Sequence, residues 1–391
     1  MQRTACGSCG HDDLELILDL GRSPLADAFP TCVEADVETY PLQLFVCDQC
    51  WLVQLGEVVP DEILWSDYGF YSSTSPGLVA YHKRLAELLM ERHPDQARQL
   101  TVEIACNDGS LLSRIESPRR LGVDPATGPA WAAIDNGLDV RNAPFTSALA
   151  QELRDEVGPA GLVIASNVAA HVADLGDFLQ GIKILLADDG VAVIEVQSLA
   201  DLILGNQIDH VYHEHRSFFS VTSLSAACER AGLGVVRVEP GPMQGGSLRV
   251  TCRSRSGPRQ SYLQDSVGLG HSMTVLKGLQ LRAEYLRMML LDLLLVEVDA
   301  GRSVAGFGAS AKSTTLLNWC GLGPDVISHV VDTTPHKIGR FTPGTNIPIV
   351  GPGDHPDPDT YLMLVWNYVS RIRTDPFKGR WLVPIPQPVI L

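Results

Sequence analysis

The sequence predicts an α/β protein in which a small, cysteine-paired N-terminal domain precedes two doubly wound, mostly parallel sheets. Three observations carry this. Two C-x-x-C pairs, Cys6/Cys9 and Cys47/Cys50, lie within the first 50 residues. From about residue 60, short apolar runs alternate with helical patterns, and the runs end in small or polar residues. A second series of the same kind follows a long helical pattern at about 271–300. At 391 residues the chain is too long for one ordinary core. With 45% hydrophobic and 19% charged residues it reads as globular.

The N-terminal pairs come first. Each C-x-x-C sets two thiolates on one tight knuckle, and two knuckles fill the tetrahedral shell of a zinc ion, leaving no open position for chemistry. The expected zinc is therefore structural. The stretch 10–46 between the pairs is longer than the ~15 to 20 residues of a zinc ribbon, so extra strands or a loop must intervene. Cys32, Cys106, Cys228, Cys252 and Cys320 lack such spacing and read as packing residues.

In the central segment, "LTVEIACNDGSLL" (100–112) predicts a strand, a small polar turn and a helix. "RLGVDPA" (120–126), "GLVIASNVAAHV" (161–172) and "GVAVIEVQSL" (190–199) predict three more strands, and 232–253 a β-hairpin closing the sheet. After the helix at 271–300, "SVAGFGASAKSTTLLNW" (303–319) repeats the strand, glycine turn and helix, while 326–337 and 360–368 supply further strands. Ligands of such sheets sit at the carboxyl ends of the strands. The predicted domains are 1–60, 61–270 and 271–391.

Composition narrows the function. Thirty Lys plus Arg against 46 Asp plus Glu give a formal charge of −16, which argues against nucleic-acid or anionic-membrane binding. The most apolar helical stretch is interrupted by Asp292 and Glu297, so no membrane span is expected. The polar start leaves no room for a signal peptide, and a cytoplasmic protein is expected. A locally gathered cluster of cations still permits an anionic small substrate.

Three constellations carry chemistry. Glu103, Asn107, Asp108 and Gly109 stand at the first strand-to-helix turn, with Asp124 ending the next strand. That layout suits a nucleoside ligand, the small residues allowing close approach and the acid accepting ribose hydroxyls. It also suits an ordinary tight turn whose acid caps a helix. "DHVYHEH" (209–215) crowds Tyr212, His213, Glu214 and His215, groups able to move protons or hold a metal. A helix there would put Tyr212 and His215 on one face, and a strand would pair Tyr212 with Glu214. "GFGASAK" (306–312) could cradle a diphosphate on its amides with Lys312 adding charge, although it departs from G-x-G-x-x-G in its last position.

These blocks carry a resemblance. "EIACNDGSLL" resembles the S-adenosylmethionine motif of the sugar C-methyltransferases that act on nucleotide-linked deoxysugars. "ASNVAAH", "GNQIDHVYHEH", "QGGSLRV", "GFGASAKSTTLLNWCGL" and "DTTPHKIGRFTPGTNIPI" are similar to that family's blocks, in the same order. With the cysteine pairs, the match spans essentially the whole chain. It implies an N-terminal zinc-binding domain, a central Rossmann-like class I methyltransferase domain and a C-terminal Rossmann-like domain, with the sugar nucleotide between the last two. The implied reaction carries methyl from S-adenosylmethionine to C3 of a dTDP-linked 4-keto-deoxysugar, in branched deoxysugar and antibiotic biosynthesis, by a monomer or weak dimer.

The resemblance also implies roles. His215 would be the base, Tyr212 would orient or share the proton, and Glu214 would fix a tautomer or bind the sugar. Asn167 and His171 would bind the sugar and stabilise an enolate, Asn167 also lying beside the cofactor residues Glu103, Asn107, Asp108, Gly109 and Asp124. "SDYGFYSSTS" (66–75) matches a substrate-contacting block, with Tyr68, Tyr71 and Ser72 as candidates, and Lys312, Asp332 and Asn367 stand where nucleotide or sugar contacts are expected. Two rival readings have their own tests. An NAD-dependent sugar-nucleotide dehydrogenase or epimerase would bind a nicotinamide cofactor, and a noncatalytic zinc-domain scaffold would turn over nothing.

Overall fold

Three sheets organise the chain, and two of them are doubly wound. The computed structural model describes residues 2–33, 37–64, 69–254, 266–369, 377 and 379–391. Tyr68 lies outside the described residues.

The N-terminal sheet is antiparallel: Leu14–Pro24, Thr39–Cys47 and Val53–Leu55 follow one another, so the stretch between the cysteine pairs is indeed filled by strands. Alternation places Leu42, Leu44 and Val46 inward. The fourth strand comes from far along the chain. Ser217–Phe218, directly after the histidine-rich stretch, pairs with Val53 and Gln54.

The central sheet has seven strands. Leu100–Ile104 lies between Arg119–Val123 and Ala160–Ser166, all parallel, and Leu186–Gln197 follows. The hairpin Gly234–Gly241/Ser247–Arg253 closes the edge antiparallel, as the sequence predicts. Consecutive strands depart to opposite sides of Leu100–Ile104, so its carboxyl end is a switch point where a crevice opens. One prediction fails here. The turn after Ile104 leads into a short 3-10 helix, Leu112–Arg114, not an α-helix. Pro118 follows closely, and the residue before a proline is driven out of the α region, so no helix can run on.

The C-terminal sheet repeats the plan. Val304–Phe307 lies between Val330–Val331 and Thr360–Met363, all parallel, which creates a second switch point. Its strands are shorter than the runs 326–337 and 360–368 suggest, because Thr334–Pro335 and a 3-10 turn at Trp366–Tyr368 interrupt them. The helix Met273–Asp299 joins the sheets and buries Leu276, Leu279, Ala283, Leu286, Leu290 and Leu294. That three-and-four spacing is one helical face. These leucines share a core with Leu18 and Leu44 of the N-terminal sheet and with Val304 and Leu362 of the C-terminal sheet. Each fully buried leucine contributes roughly 1.5–3 kcal/mol, so one helix ties the first and last sheets together. No helix among the described residues is long and apolar enough to cross a membrane.

Candidate functional site

Four groups of predicted residues converge on the carboxyl ends of the two parallel sheets and the segment between them. At the first switch point the backbone is forced into unusual geometry. Ala105, Asn107 and Gly109 have φ of 57°, 52° and 75°. At Gly109 the positive φ disfavours a side chain, and a Cβ there would also displace the tip of Leu138. Asp124 is buried; its Oδ2 accepts from the amide of Asn107 at 2.7 Å and its Oδ1 from that of Ala126 at 2.8 Å. Burial pushes its carboxyl up. Glu103 is buried on the strand itself, and burial, with Asp124 and Asp108 adding, raises it well above the usual range.

The residues predicted to touch substrate lie across this turn. Asn107 Oδ1 accepts from the amide of Ser72 and Asp108 Oδ2 from that of Ser73, both at 2.8 Å, while Asn107 Nδ2 donates to the carbonyl of Phe70 at 3.0 Å. Tyr71 reaches over the next helix, its Oη 2.6 Å from where a Cβ on Gly128 would sit. The segment is thus a strap over the acidic turn, with Ser72 on Asn107, Ser73 on Asp108 and Tyr71 over Gly128. Sequence reasoning assigned the two sides separately.

The stretch "DHVYHEH" is neither helix nor strand where it matters. Tyr212 to His215 form a tight turn closed by the amide of His215 on the carbonyl of Tyr212 at 2.9 Å. The turn brings Tyr212 Oη within 2.8 Å of His215 Nε2. His215 Nδ1 lies 2.8 Å from the carbonyl of His210. A carbonyl only accepts, so Nδ1 carries the proton and Nε2 receives the hydrogen bond of Tyr212. His171 is held the same way, Nδ1 donating to the carbonyl of Glu214 at 2.8 Å, and its ring lies 5.0 Å from that of His215. Burial lowers His171 to about 4 and His215 to about 3, so both imidazoles are neutral. Asn167 ends the adjacent strand with φ 56°, a left-handed conformation asparagine tolerates. Glu214 is buried and pushed up to about 8, by burial first and then by Asp27. His213 turns away, its Nε2 3.3 Å from the carbonyl of Pro41.

Both flanks of this turn are gripped. On the carboxyl side, Arg216 is 1% exposed and donates to the carbonyl of Val59 at 2.7 Å, and its carbonyl accepts from Leu55 at 3.0 Å. On the amino side stand Asp209 and His210, which sequence reasoning passed over inside the quoted stretch. The available signal was an acid and a histidine between apolar Ile208 and Val211, all four buried.

At the second switch point Gly308 (φ 93°) makes the turn. Asp332 accepts from the amides of Ala309 at 2.6 Å and Thr334 at 2.7 Å. Lys312 Nζ donates to Asn367 Oδ1 at 2.6 Å and lies 5.2 Å from the centre of the Trp366 ring. Lys337 Nζ donates to the carbonyl of Ala309 at 2.7 Å. The two parts of the C-terminal unit predicted to bind substrate are therefore in direct contact.

The four cysteines meet as their spacing predicts. Cys6 and Cys50 sulfurs are 3.6 Å apart, as are those of Cys9 and Cys47, and all four lie within 4.8 Å of one another. A tetrahedral zinc with bonds of ~2.3 Å requires sulfur separations of about 3.8 Å, so the set fits that ion. Thiolates so close repel and ionise together only around a cation.

Three family models cover the chain: a zinc binding domain over 6–65, a methyltransferase domain over 80–238 and a C-methyltransferase C-terminal domain over 242–386. The C-methyltransferase NovU of Streptomyces niveus is 35% identical over 404 aligned residues, covering 99% of this chain and 96% of the relative. Among solved structures, the 1,6-didemethyltoxoflavin-N1-methyltransferase of Burkholderia thailandensis matches at 17% identity and a TM-score of 0.40, over 59% of this chain and all of that one. The PH0226 protein of Pyrococcus horikoshii OT3 matches at 14% and 0.39, over 50% and 99%.

Proposed function

The chain belongs to the S-adenosylmethionine-dependent C-methyltransferase family, and on that premise we propose that it methylates C3 of a dTDP-linked 4-keto-deoxysugar. The observation that carries the reading is the Tyr212–His215 pair, set between an acidic turn and a lysine-bearing turn. When bound, S-adenosylmethionine supplies an electrophilic methyl on a cationic sulfur. Glu103, Asp108 and Asp124 offer negative charge at the first switch point, which favours that cation and disfavours a diphosphate. Lys312 serves the sugar nucleotide's diphosphate at the second, whereas the amides of Gly306, Gly308, Ala309 and Ser310, expected to cradle it, are already bonded within the protein. Tyr71 and Ser72 close over the first turn, while Asp332 and Asn367 shape the second. The structural zinc is held by Cys6, Cys9, Cys47 and Cys50.

Carbon beside a ketone gives up its proton only to a positioned base with the developing oxyanion stabilised. Tyr212 Oη takes the α-proton as its own proton passes to His215 Nε2, whose lone pair the His210 carbonyl keeps available by holding the proton on Nδ1. Asn167 serves the enolate oxygen, His171 helps to hold the sugar, its own proton going to the Glu214 carbonyl, and Glu214, buried and protonated at neutral pH, donates to the sugar. The division 1–60, 61–270 and 271–391, a cytoplasmic location, a monomeric or weakly dimeric state and a role in antibiotic deoxysugar supply belong to the same proposal.

The test is hydrogen exchange at C3. In D₂O with S-adenosylhomocysteine present, the wild type should exchange C3 hydrogen of a dTDP-4-keto-deoxysugar. A positioned base contributes about 10² to 10⁴ in rate, so His215→Asn and Tyr212→Phe should each lose about 3 to 5 kcal/mol of activation free energy. A Tyr212→Phe protein that still exchanges well would make His215 the direct base. Near wild-type rates in both variants would contradict the assignment of either.

A further inference from the structure

We propose that Asp209 and Trp366 together position the proton acceptor, so that the C-terminal sheet completes a catalytic site whose reacting residues all belong to the central segment. Trp366 Nε1 donates to Asp209 Oδ2 at 2.7 Å, and Asp209 is 1% exposed. Its other oxygen, Oδ1, is buried and has no hydrogen-bond partner among the described residues. Trp366 is therefore the donor that fixes the carboxyl's rotation. Lys312, bonded to Asn367 and lying against the Trp366 ring, holds positive charge close enough to act on Asp209.

The next residue transmits that placement. The His210 ring is wholly buried, edge-on to Trp366 at 6.1 Å and stacked on His215 at 6.3 Å, with both ring nitrogens lacking hydrogen-bond partners among the described residues. Its role is carried by its backbone, since the His210 carbonyl receives Nδ1–H of His215 and so selects the tautomer whose Nε2 faces Tyr212. Two further bonds fix the same segment to the C-terminal unit: Thr315 Oγ1 donates to the carbonyl of Val211 at 2.9 Å, and Asn206 Nδ2 to that of Pro386 at 3.0 Å. A carbonyl displaced by an ångström no longer holds the imidazole, and misplacement on that scale costs catalysis steeply. Asp209 and Trp366 are positioning residues; the proton acceptor itself remains the Tyr212–His215 pair.

This inference rests on the C-methyltransferase reading with that pair as base. It is tested by a mutant cycle on the full-length, zinc-loaded protein. Trp366→Phe keeps an aromatic ring, though a smaller one, but removes the donor, Asp209→Leu removes the acceptor, and Asp209→Asn retains an acceptor oxygen. The expected result is a ten- to hundredfold fall in kcat for Trp366→Phe and for Asp209→Leu, with the C3 exchange rate falling in parallel and S-adenosylmethionine affinity unchanged. The double variant should be no worse than either single one, because both remove the same contact, and Asp209→Asn should recover most of the loss. Wild-type kcat in both single variants, losses that multiply in the double, or equal losses in cofactor affinity would overturn the proposal. If wild type neither exchanges nor methylates any dTDP-4-keto-deoxysugar, it is the functional reading that fails.

Discussion

The two switch-point turns are built alike and charged oppositely. In each, an acid at the end of the neighbouring strand accepts one amide from the turn and one from two residues further on: Asp124 from Asn107 and Ala126, Asp332 from Ala309 and Thr334. The shared device fixes the turn and says nothing about the ligand. The surroundings differ. Beside Asp124 stand Glu103 and Asp108, and the charges acting on Glu103 are these other carboxyls. Beside Asp332 stand Lys312 and Lys337. The backbone thus makes the same turn twice, and side-chain charge is what distinguishes the two.

The largest expected effect is unselective and provides the control. Cys47→Ser should lose zinc by elemental analysis together with most of the folded yield, because the strand Val53–Leu55 beside that knuckle pairs with Ser217–Phe218. Both ligands should then bind worse. Full zinc occupancy with all four cysteines replaced would contradict the site.

Selective effects come next. Asp124→Asn should weaken S-adenosylmethionine by roughly 1.5–3 kcal/mol, the range of a charge-assisted hydrogen bond, and leave the sugar nucleotide unaffected. Asp332→Asn should do the reverse. Calorimetry with each ligand separately reads both, and equal losses for both ligands in either variant would reduce that acid to a structural role.

The charge difference should also appear as protons. Burial raises Glu103 well above its usual range, and an arriving cation favours its charged form. Binding of S-adenosylmethionine should therefore release up to about one proton, seen as a buffer-dependent heat that Glu103→Gln abolishes. Sugar-nucleotide binding should show no Glu103-dependent release.

Glu214 lies outside both turns and is read through stability, not ligand affinity. Its folded pKa of about 8 is above its unfolded value, so the folded state binds the extra proton and stability falls as pH rises between the two. In the ligand-free protein Glu214→Gln should gain stability relative to the wild type as pH rises from about 4.5 towards 8, with little further gain above pH 9. A melting-temperature difference that is flat with pH would place the carboxyl in contact with water.

Features set by local spacing were legible in the sequence. The cysteine knuckles, the strand-turn pattern around Asn107 and Asp124, the closing hairpin and the long helix all follow from residue type and period. The pairing of Tyr212 with His215 was one of two alternatives in the sequence, and spacing left them open because a turn, neither of the periodic structures, brings the two side chains together. The strap at 70–73, the strand partner of Phe218 and the bond from Trp366 to Asp209 join residues far apart in the chain, where periodicity carries no information. Tyr71, a substrate-contact candidate from its block alone, stands over Gly128, a placement its block does not reveal.

The central claim is that a cationic methyl donor at the acidic turn meets a deprotonated carbon of a ligand held at the basic one. Incubation with S-adenosylmethionine labelled in its methyl group and a dTDP-4-keto-deoxysugar, followed by NMR of the product, tests it most directly. The account predicts one labelled methyl on C3 per turnover, lost in His215→Asn. A labelled methyl on oxygen or nitrogen, or a product formed only with a nicotinamide cofactor, would contradict it.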